Sequence, residues 1–358
     1  MPRERRCMPF DQWPAEDRRL WTEGLRTGGL FEPVGVGARW SARTQRKRQH
    51  SYGRWLTWLD AIGELDSAVP PGDRVTQARV VEYVAALKAS CAPYTLVNQI
   101  QDLHATLRML APRDDWLWLA RLHATLWSCA APVGDKRQRL RSAAELVQLG
   151  LQLMREAESA ADWSPRKQAV QYRDGLMIAL LAHRPLRMKN FAAIRLGHQL
   201  LLQGGRYWLV FNAGETKTRK PWEAVFPETL LACLARYLEH HRPVLLRGER
   251  GTKPAEIDAL WVSETGTQLE LGALATRIRR HTAGAFGASV PPHWFRDAAA
   301  TTIAIVDPRH VRDAHLVLGH ASLATTERYY NQARSIEASR RHQAALAGLR
   351  RPLKRGTM

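Results

Sequence analysis

Residues 130–142 read AAPVGDKRQRLRS, and neither a helical nor a strand period crosses them. Proline and glycine break regular backbone there, and the four basic side chains that follow want solvent or a polyanion, not a core. A chain interrupted in this way builds two cores. A length of 358 residues suits two domains. The expected division is residues 39–129, a basic linker over 130–142, and residues 143–358. The first 38 residues are rich in Gly, Pro and Trp and are expected to form an irregular arm.

The first domain is expected to be helical. Ser41 is a plausible cap for a helix on which Arg43, Lys47, His50 and Arg54 share one face and Tyr52, Trp55, Leu56 and Leu59 the other. The segment from Arg43 to Arg54 contains no acid, so the cationic face is expected to meet phosphates. Thr76 opens a second helix, Gln77–Ala89, with Val80, Val81, Val84 and Leu87 inward. Two more helices are expected over 95–110, with Leu96, Ile100, Leu103 and Leu107 inward, and over 114–127.

The second domain is mixed. Helices are expected over 143–156 and 166–181, three short strands over 200–203, 207–211 and 222–226, and helices again over 230–237 and 271–281. The fold class is therefore mainly α with a small antiparallel β-sheet: a helical domain followed by an α+β domain. A last helix is expected over 335–349, then a basic tail holding Arg350, Arg351, Lys354 and Arg355.

Lys and Arg number 53 against 34 Asp and Glu, a net charge of +19. Such an excess points to a polyanionic partner, of which nucleic acid is the commonest. Lys136, Arg137 and Arg139 of the linker join the α-helical stripe as candidate DNA-binding residues. Cys7, Cys91, Cys129 and Cys233 stand far apart, with no CxxC pair, so no metal site and no disulfide framework is implied. Phosphate-loop, HExxH and GxSxG motifs are absent. No cofactor is expected. The apolar run Leu176–Ala182 is far shorter than the ~18 residues a membrane span needs. The start, MPRERRCMPFDQ, has charge without an apolar stretch, so a cytoplasmic, nucleoid-associated protein is expected.

What remains is an ordered set of cations, histidines and a tyrosine pair. Arg187 stands in HRPLRMKN and Lys217 in GETKTRK, between two expected strands. His293 and Arg296 stand in PPHWFRDAAAT, His320 in LGH, and Tyr329 in ATTERYYNQ. Arg296 and His320 are 24 residues apart, and Tyr329 follows His320 by nine.

In this order and spacing, the stretch resembles the C-terminal signature of the tyrosine recombinases, the phage-integrase family: HxxR, then LGH, then a tyrosine nine residues on. Arg187 in PLR resembles the family's first arginine, and Lys217 in TKTRKPWEAVFP its hairpin lysine. The resemblance implies a helical core-binding domain ahead of a catalytic domain. It also implies a site-specific recombinase or integrase that acts on double-stranded DNA as a tetramer, sometimes with accessory DNA-bending proteins. Two residues depart from the pattern. Asn190 replaces a usual carboxylate, whose support Asp174 could supply, and Asp297 follows Arg296.

The implied chemistry suits the residues. Arg187 and Arg296 would clamp the phosphate oxygens, because guanidinium donates parallel hydrogen bonds and stays charged. Tyr329 would attack, with His293 accepting or positioning its proton. Lys217 would protonate the leaving 5′-oxygen, and His320 would add a hydrogen bond to the phosphate. The resemblance implies a 3′-phosphotyrosyl intermediate and a four-way junction. Tyr330 remains an alternative nucleophile. A topoisomerase IB-like enzyme and a non-catalytic DNA-binding protein of recombinase descent remain alternative functions. The segment around Ile336 and Leu346 would dock on a neighbouring protomer or pack on its own domain.

Overall fold

The computed structural model describes residues 7–29, 32, 34–131, 133, 139–247 and 257–306, with backbone alone for 304–306. It divides into two compact units, residues 1–135 and 136–358.

The first unit is helical: α1 (Ala15–Gly24), α2 (Ala42–Ala61), α3 (Gln77–Ser90), α4 (Pro93–Leu110) and α5 (Leu117–Cys129). Side-chain caps set two of the starts. Ser41 Oγ accepts from the Thr44 amide, and Thr76 Oγ1 from the Arg79 amide, each satisfying a donor that the first helical turn leaves orphaned. Trp55, Leu56, Leu59, Val80, Ile100, Leu103, Leu107 and Leu119 fill the core.

Two expectations fail here. The first 38 residues are not wholly irregular, because α1 forms after Pro14 and carries Glu16 and Asp17 in its first turn, where the helix dipole favours acids. Trp13 and Trp21 sink into the core at 2% and 3% exposure. Asp17 is fully buried; it accepts from the Tyr52 hydroxyl at 2.6 Å and pairs with buried Arg74. Val81 is the second. It is 64% exposed, because the stripe set by Val80, Val84 and Leu87 takes Tyr83, one turn from Val80 and Leu87, as its fourth member.

The second unit is built on α6 (Ala143–Ser159) and α7 (Pro165–His183). A capping box of Ser142 and Glu145 opens α6. Helix α7 is buried almost all round from Ala169 to Ala182, which marks it as the central helix of the unit. The two helices touch backbone to backbone: a Cβ on Gly150 would lie 2.5 Å from the Gly175 carbonyl oxygen, and one on Gly175 would lie 2.6 Å from that of Gly150.

After α8 (Met188–Ala192) come the strands β1 (Leu200–Gln203), β2 (Arg206–Phe211) and β3 (Trp222–Val225), antiparallel in that order. Leu200 pairs with Leu209, and Leu209 with Ala224. Gly204 and Gly205 both have positive φ (58° and 73°), the geometry that a two-residue turn of this hand demands. Helix α9 (Leu231–Arg236) runs through a wide π turn, Tyr237–His241, into α10 (Arg242–Leu246); α11 (Leu271–Phe286) and α12 (Trp294–Val306) follow.

Arginines brace the loops of this unit by donating to main-chain carbonyls. Arg173 reaches Val262, Arg184 reaches Val225, Arg242 reaches Ala259 and Ile257, and Arg141 reaches Phe286.

Candidate active site

The turn between α7 and α8 carries the first expected arginine. Pro185 stops α7, since proline cannot continue a helical ladder, and Arg187 opens α8 as its cap residue with extended backbone. Arg184 fastens this turn to the end of β3, with Nε and Nη2 donating to the Val225 carbonyl at 3.2 and 3.0 Å. His183 meets the Thr229 hydroxyl at 3.0 Å. Burial holds the His183 imidazole below its ordinary pKa, and the charge of Arg184 adds to that.

Helix α12 supplies the second arginine. Pro291 and Pro292 end the preceding segment, and His293 sits exposed in the turn just before the helix, not on the helix itself. Arg296, half-buried in the first turn, donates from Nη1 to the Pro185 carbonyl at 2.6 Å. The HxxR segment is thereby tied to the turn that bears Arg187, although 111 residues separate the bonded pair.

The loop between β2 and β3 carries Lys217, which is exposed. Asn190, on α8, donates from Nδ2 to the Glu215 carbonyl at 3.4 Å. Glu215 is held harder elsewhere: Gln199 Nε2 donates to its Oε1 at 2.6 Å and the Asn212 amide to its Oε2 at 2.7 Å. Thr216 Oγ1 donates to the Lys220 carbonyl at 2.7 Å and accepts from its amide at 3.1 Å. The segments holding Arg187, Lys217, and His293 with Arg296 thus converge. His320 and Tyr329 lie outside the described residues, as do the expected helix over 335–349 and the basic tail.

Asp174 does not stand alone as a support. It is 1% exposed, and its Oδ1 accepts from Arg173 at 3.0 and 2.7 Å. Its Oδ2 accepts from His281 at 2.9 Å and from Arg277. Burial alone would raise the pKa of this carboxyl. The charges of Arg173 and Arg277 and the bond from His281 outweigh it and hold the group below the usual range.

In the first unit, Arg43 and His50 are exposed on α2. The other two members of the stripe have partners inside the unit. Lys47 Nζ lies 3.1 and 3.0 Å from the two oxygens of Asp102, and Arg54 donates to Cys91 Sγ at 3.0 Å and to Ser90 Oγ at 3.4 Å. The stretch of α2 from Arg43 to Arg54 is free of acid; the acid comes from α4. Of the linker cations, Lys136 and Arg137 lie outside the described residues, and Arg139 lies over the Trp294 ring at 5.2 Å.

Sequence reasoning overlooked Arg184, Gln199 and Glu215. Only the neighbourhood of the two arginines in HRPLR hinted at the first; the other two meet through a sheet register that no local pattern reveals. Among the described residues no helix is long and apolar enough to cross a membrane, and no cluster of three or more His, Cys, Asp or Glu could hold a metal ion.

The chain is similar to several known proteins. Tyrosine recombinase XerD of Pseudomonas aeruginosa is 31% identical over 164 residues, 46% of this chain and 51% of that protein, so the chain spans about half the length of the curated relative it matches. The XerH site-specific recombinase, crystallised on its difH substrate before cleavage, has a similar fold: TM-score 0.53 at 16% identity, over 83% of this chain and 78% of that one. So does the Tn1549 transposon integrase in complex with circular intermediate DNA: TM-score 0.52 at 14% identity, over 89% and 98%. The model of the phage integrase family matches residues 151–335, the stretch in which these three segments meet. By that match over more than half its length, the chain belongs to the phage integrase family.

Proposed function

We propose that the protein is a site-specific DNA recombinase that cuts and rejoins duplex DNA through a tyrosine-linked intermediate. The observation that carries the reading is the bond from Arg296 to the Pro185 carbonyl, which ties the second arginine to the turn of the first. Two arginines, one rooted in the braced turn and one hydrogen-bonded to it from α12, suit a phosphate that gains charge as it is attacked. Preorganised donors of this kind contribute several kcal/mol each to the transition state, about 10²–10³ in rate.

In the reaction, the Tyr329 oxygen bonds to phosphorus and the bond to the 5′-oxygen breaks. His293 takes or orients the phenol proton, and Lys217 gives a proton to the departing oxygen. His320 donates to the phosphate. The DNA end is then held as a 3′-phosphotyrosine until a 5′-hydroxyl of the partner strand attacks and releases the tyrosine. Four protomers on two duplexes exchange strands in turn through a four-way junction. Arg43 and His50 on α2, with Lys136 and Arg137 of the linker, contact backbone phosphates.

The test is covalent trapping in cells that carry the source genomic DNA. Wild type, Tyr329→Phe and Tyr330→Phe are expressed and denatured in detergent, and the attached DNA is sequenced. DNA retained by wild type and Tyr330→Phe but lost from Tyr329→Phe is the expected result. Retention by Tyr329→Phe with loss from Tyr330→Phe moves the nucleophile by one residue. Absence of attached DNA from all three, with salt-sensitive binding intact, refutes the enzymatic reading.

A further inference from the structure

We propose that Glu215 is a positioning residue for Lys217, clamped by Gln199, and that Asn190 extends the clamp to the helix opened by Arg187. The inference rests on the reading of Lys217 as the general acid. Its starting point is the loop over residues 212–221. A surface loop of this length moves freely unless its own polar groups tie it down, whereas a general acid must come within about 2.6–3.2 Å of the oxygen it protonates.

The ties are specific. Gln199 Oε1 accepts from the Arg195 amide at 3.2 Å, and this bond sets the orientation of the side-chain amide. Its Nε2 must then face outward, and there it donates to Glu215 Oε1 at 2.6 Å. The second oxygen of Glu215 is taken by the Asn212 amide at 2.7 Å. Both bonds end on a carboxylate, which makes them shorter and stronger than neutral ones. Beyond Glu215, Thr216 closes the turn onto Lys220, and Arg219 holds a left-handed backbone, φ 53°. Lys217 lies inside this closed turn, two residues from the clamped carboxylate.

The clamp also accounts for the amide at position 190. A carbonyl oxygen, that of Glu215, faces Asn190, and only a donor can satisfy it. A carboxylate there would set one acceptor against another, beside a second carboxylate. The amide at 190 and the acid at 215 therefore belong to one arrangement, which joins the helix of the arginine to the loop of the lysine.

The test uses the full chain and interchanges donor and acceptor. Gln199→Glu sets two carboxylates face to face, and Glu215→Gln turns a donor toward another donor. The double variant carrying both changes restores one acceptor and one donor, with the Arg195 and Asn212 amides still satisfied. Two quantities are measured: hydrogen exchange of the amides over 213–220 in the free protein, and DNA left attached after detergent in the trapping cells. Each single variant is expected to speed exchange about tenfold and to cut attached DNA by about tenfold or more, since a misplacement of ~1 Å can cost ~10² in rate. Salt-sensitive DNA binding stays unchanged in both. The double variant is expected to recover both readouts to within about twofold.

Single variants that exchange like wild type, or a double variant no better than the singles, overturn the proposal. Lys217→Ala serves as the separate control. If it retains DNA like wild type, the general-acid reading falls while the exchange data still decide the clamp. If wild type retains none, the parent reading falls and exchange again decides.

Discussion

The buried carboxylate of Asp174 offers the sharpest test of the second unit's stability. Asp174→Asn preserves shape and removes one charge from a cluster in which Arg173 is 0% exposed and Asp174 itself 1%. Asn can accept on one atom only, so Arg173, Arg277 and His281 would compete for an oxygen where two now serve them. Breaking a buried ion pair by removing one partner costs about 3–5 kcal/mol, because the other charge stays buried and uncompensated. In a domain of this size 1 kcal/mol moves Tm by about 2–4 °C, so a fall of about 6–20 °C is expected.

The acid side of the stability curve should change as well. A carboxyl with a lower pKa in the folded chain than in the unfolded one stabilises fully above its unfolded pKa, about 3.9, and that contribution is lost as pH falls through the folded value. Asp174→Asn has no such group, so its gap from wild type should be constant above pH ~5 and should narrow below pH ~4. Calorimetry or circular-dichroism melts from pH 3 to pH 7 read both quantities. A variant that melts within 1–2 °C of wild type at pH 7, or a gap that widens in acid, would refute the account of this cluster.

Three further outcomes follow from other parts of the molecule. Gly150→Ala sets a methyl 2.5 Å from a backbone oxygen and 2.7 Å from the Ala179 amide nitrogen, atoms that move only with α7. Thermal unfolding should show a loss of about 1–3 kcal/mol or more, whereas the same change at the open Gly272, in the first turn of α11, should be neutral or slightly stabilising. On α2, Arg43→Ala should lower the slope of log binding against log salt by about 1 with Tm unchanged. Lys47→Ala should mainly lower stability, because it leaves the buried Asp102 with fewer partners.

Much of this architecture can be read before any coordinates are seen, and the reasons differ from place to place. Capping residues are local, so Ser41 and Thr76 mark helix starts correctly. The apolar run Tyr207–Phe211, preceded by the turn residues Gly204 and Gly205, reveals a strand for the same reason. The arm fails because α1 is short and rich in charge, and its reason for folding lies in contacts made far along the chain, Asp17 with Tyr52 and Arg74. Motif spacing picks out Arg187, Lys217, His293 and Arg296 as candidates but says nothing of what holds them. The bracing depends on bonds such as Arg296 to Pro185 and Gln199 to Glu215, whose partners meet only through the fold. Lys47 shows the opposite error. A helix face free of acid in its own sequence takes its counter-charge from another helix.

The arginines that donate to main-chain carbonyls carry a consequence for alkaline solution. A scaffold fastened by lysine would lose its fasteners near pH 10, where the ammonium gives up its proton and part of its donor set. Guanidinium keeps its charge and its planar fork well beyond that pH. The contacts of Arg173, Arg184, Arg242 and Arg296 therefore persist while surface lysines neutralise. In mild alkali the bond that ties Arg296 to the turn of Arg187 would keep its footing.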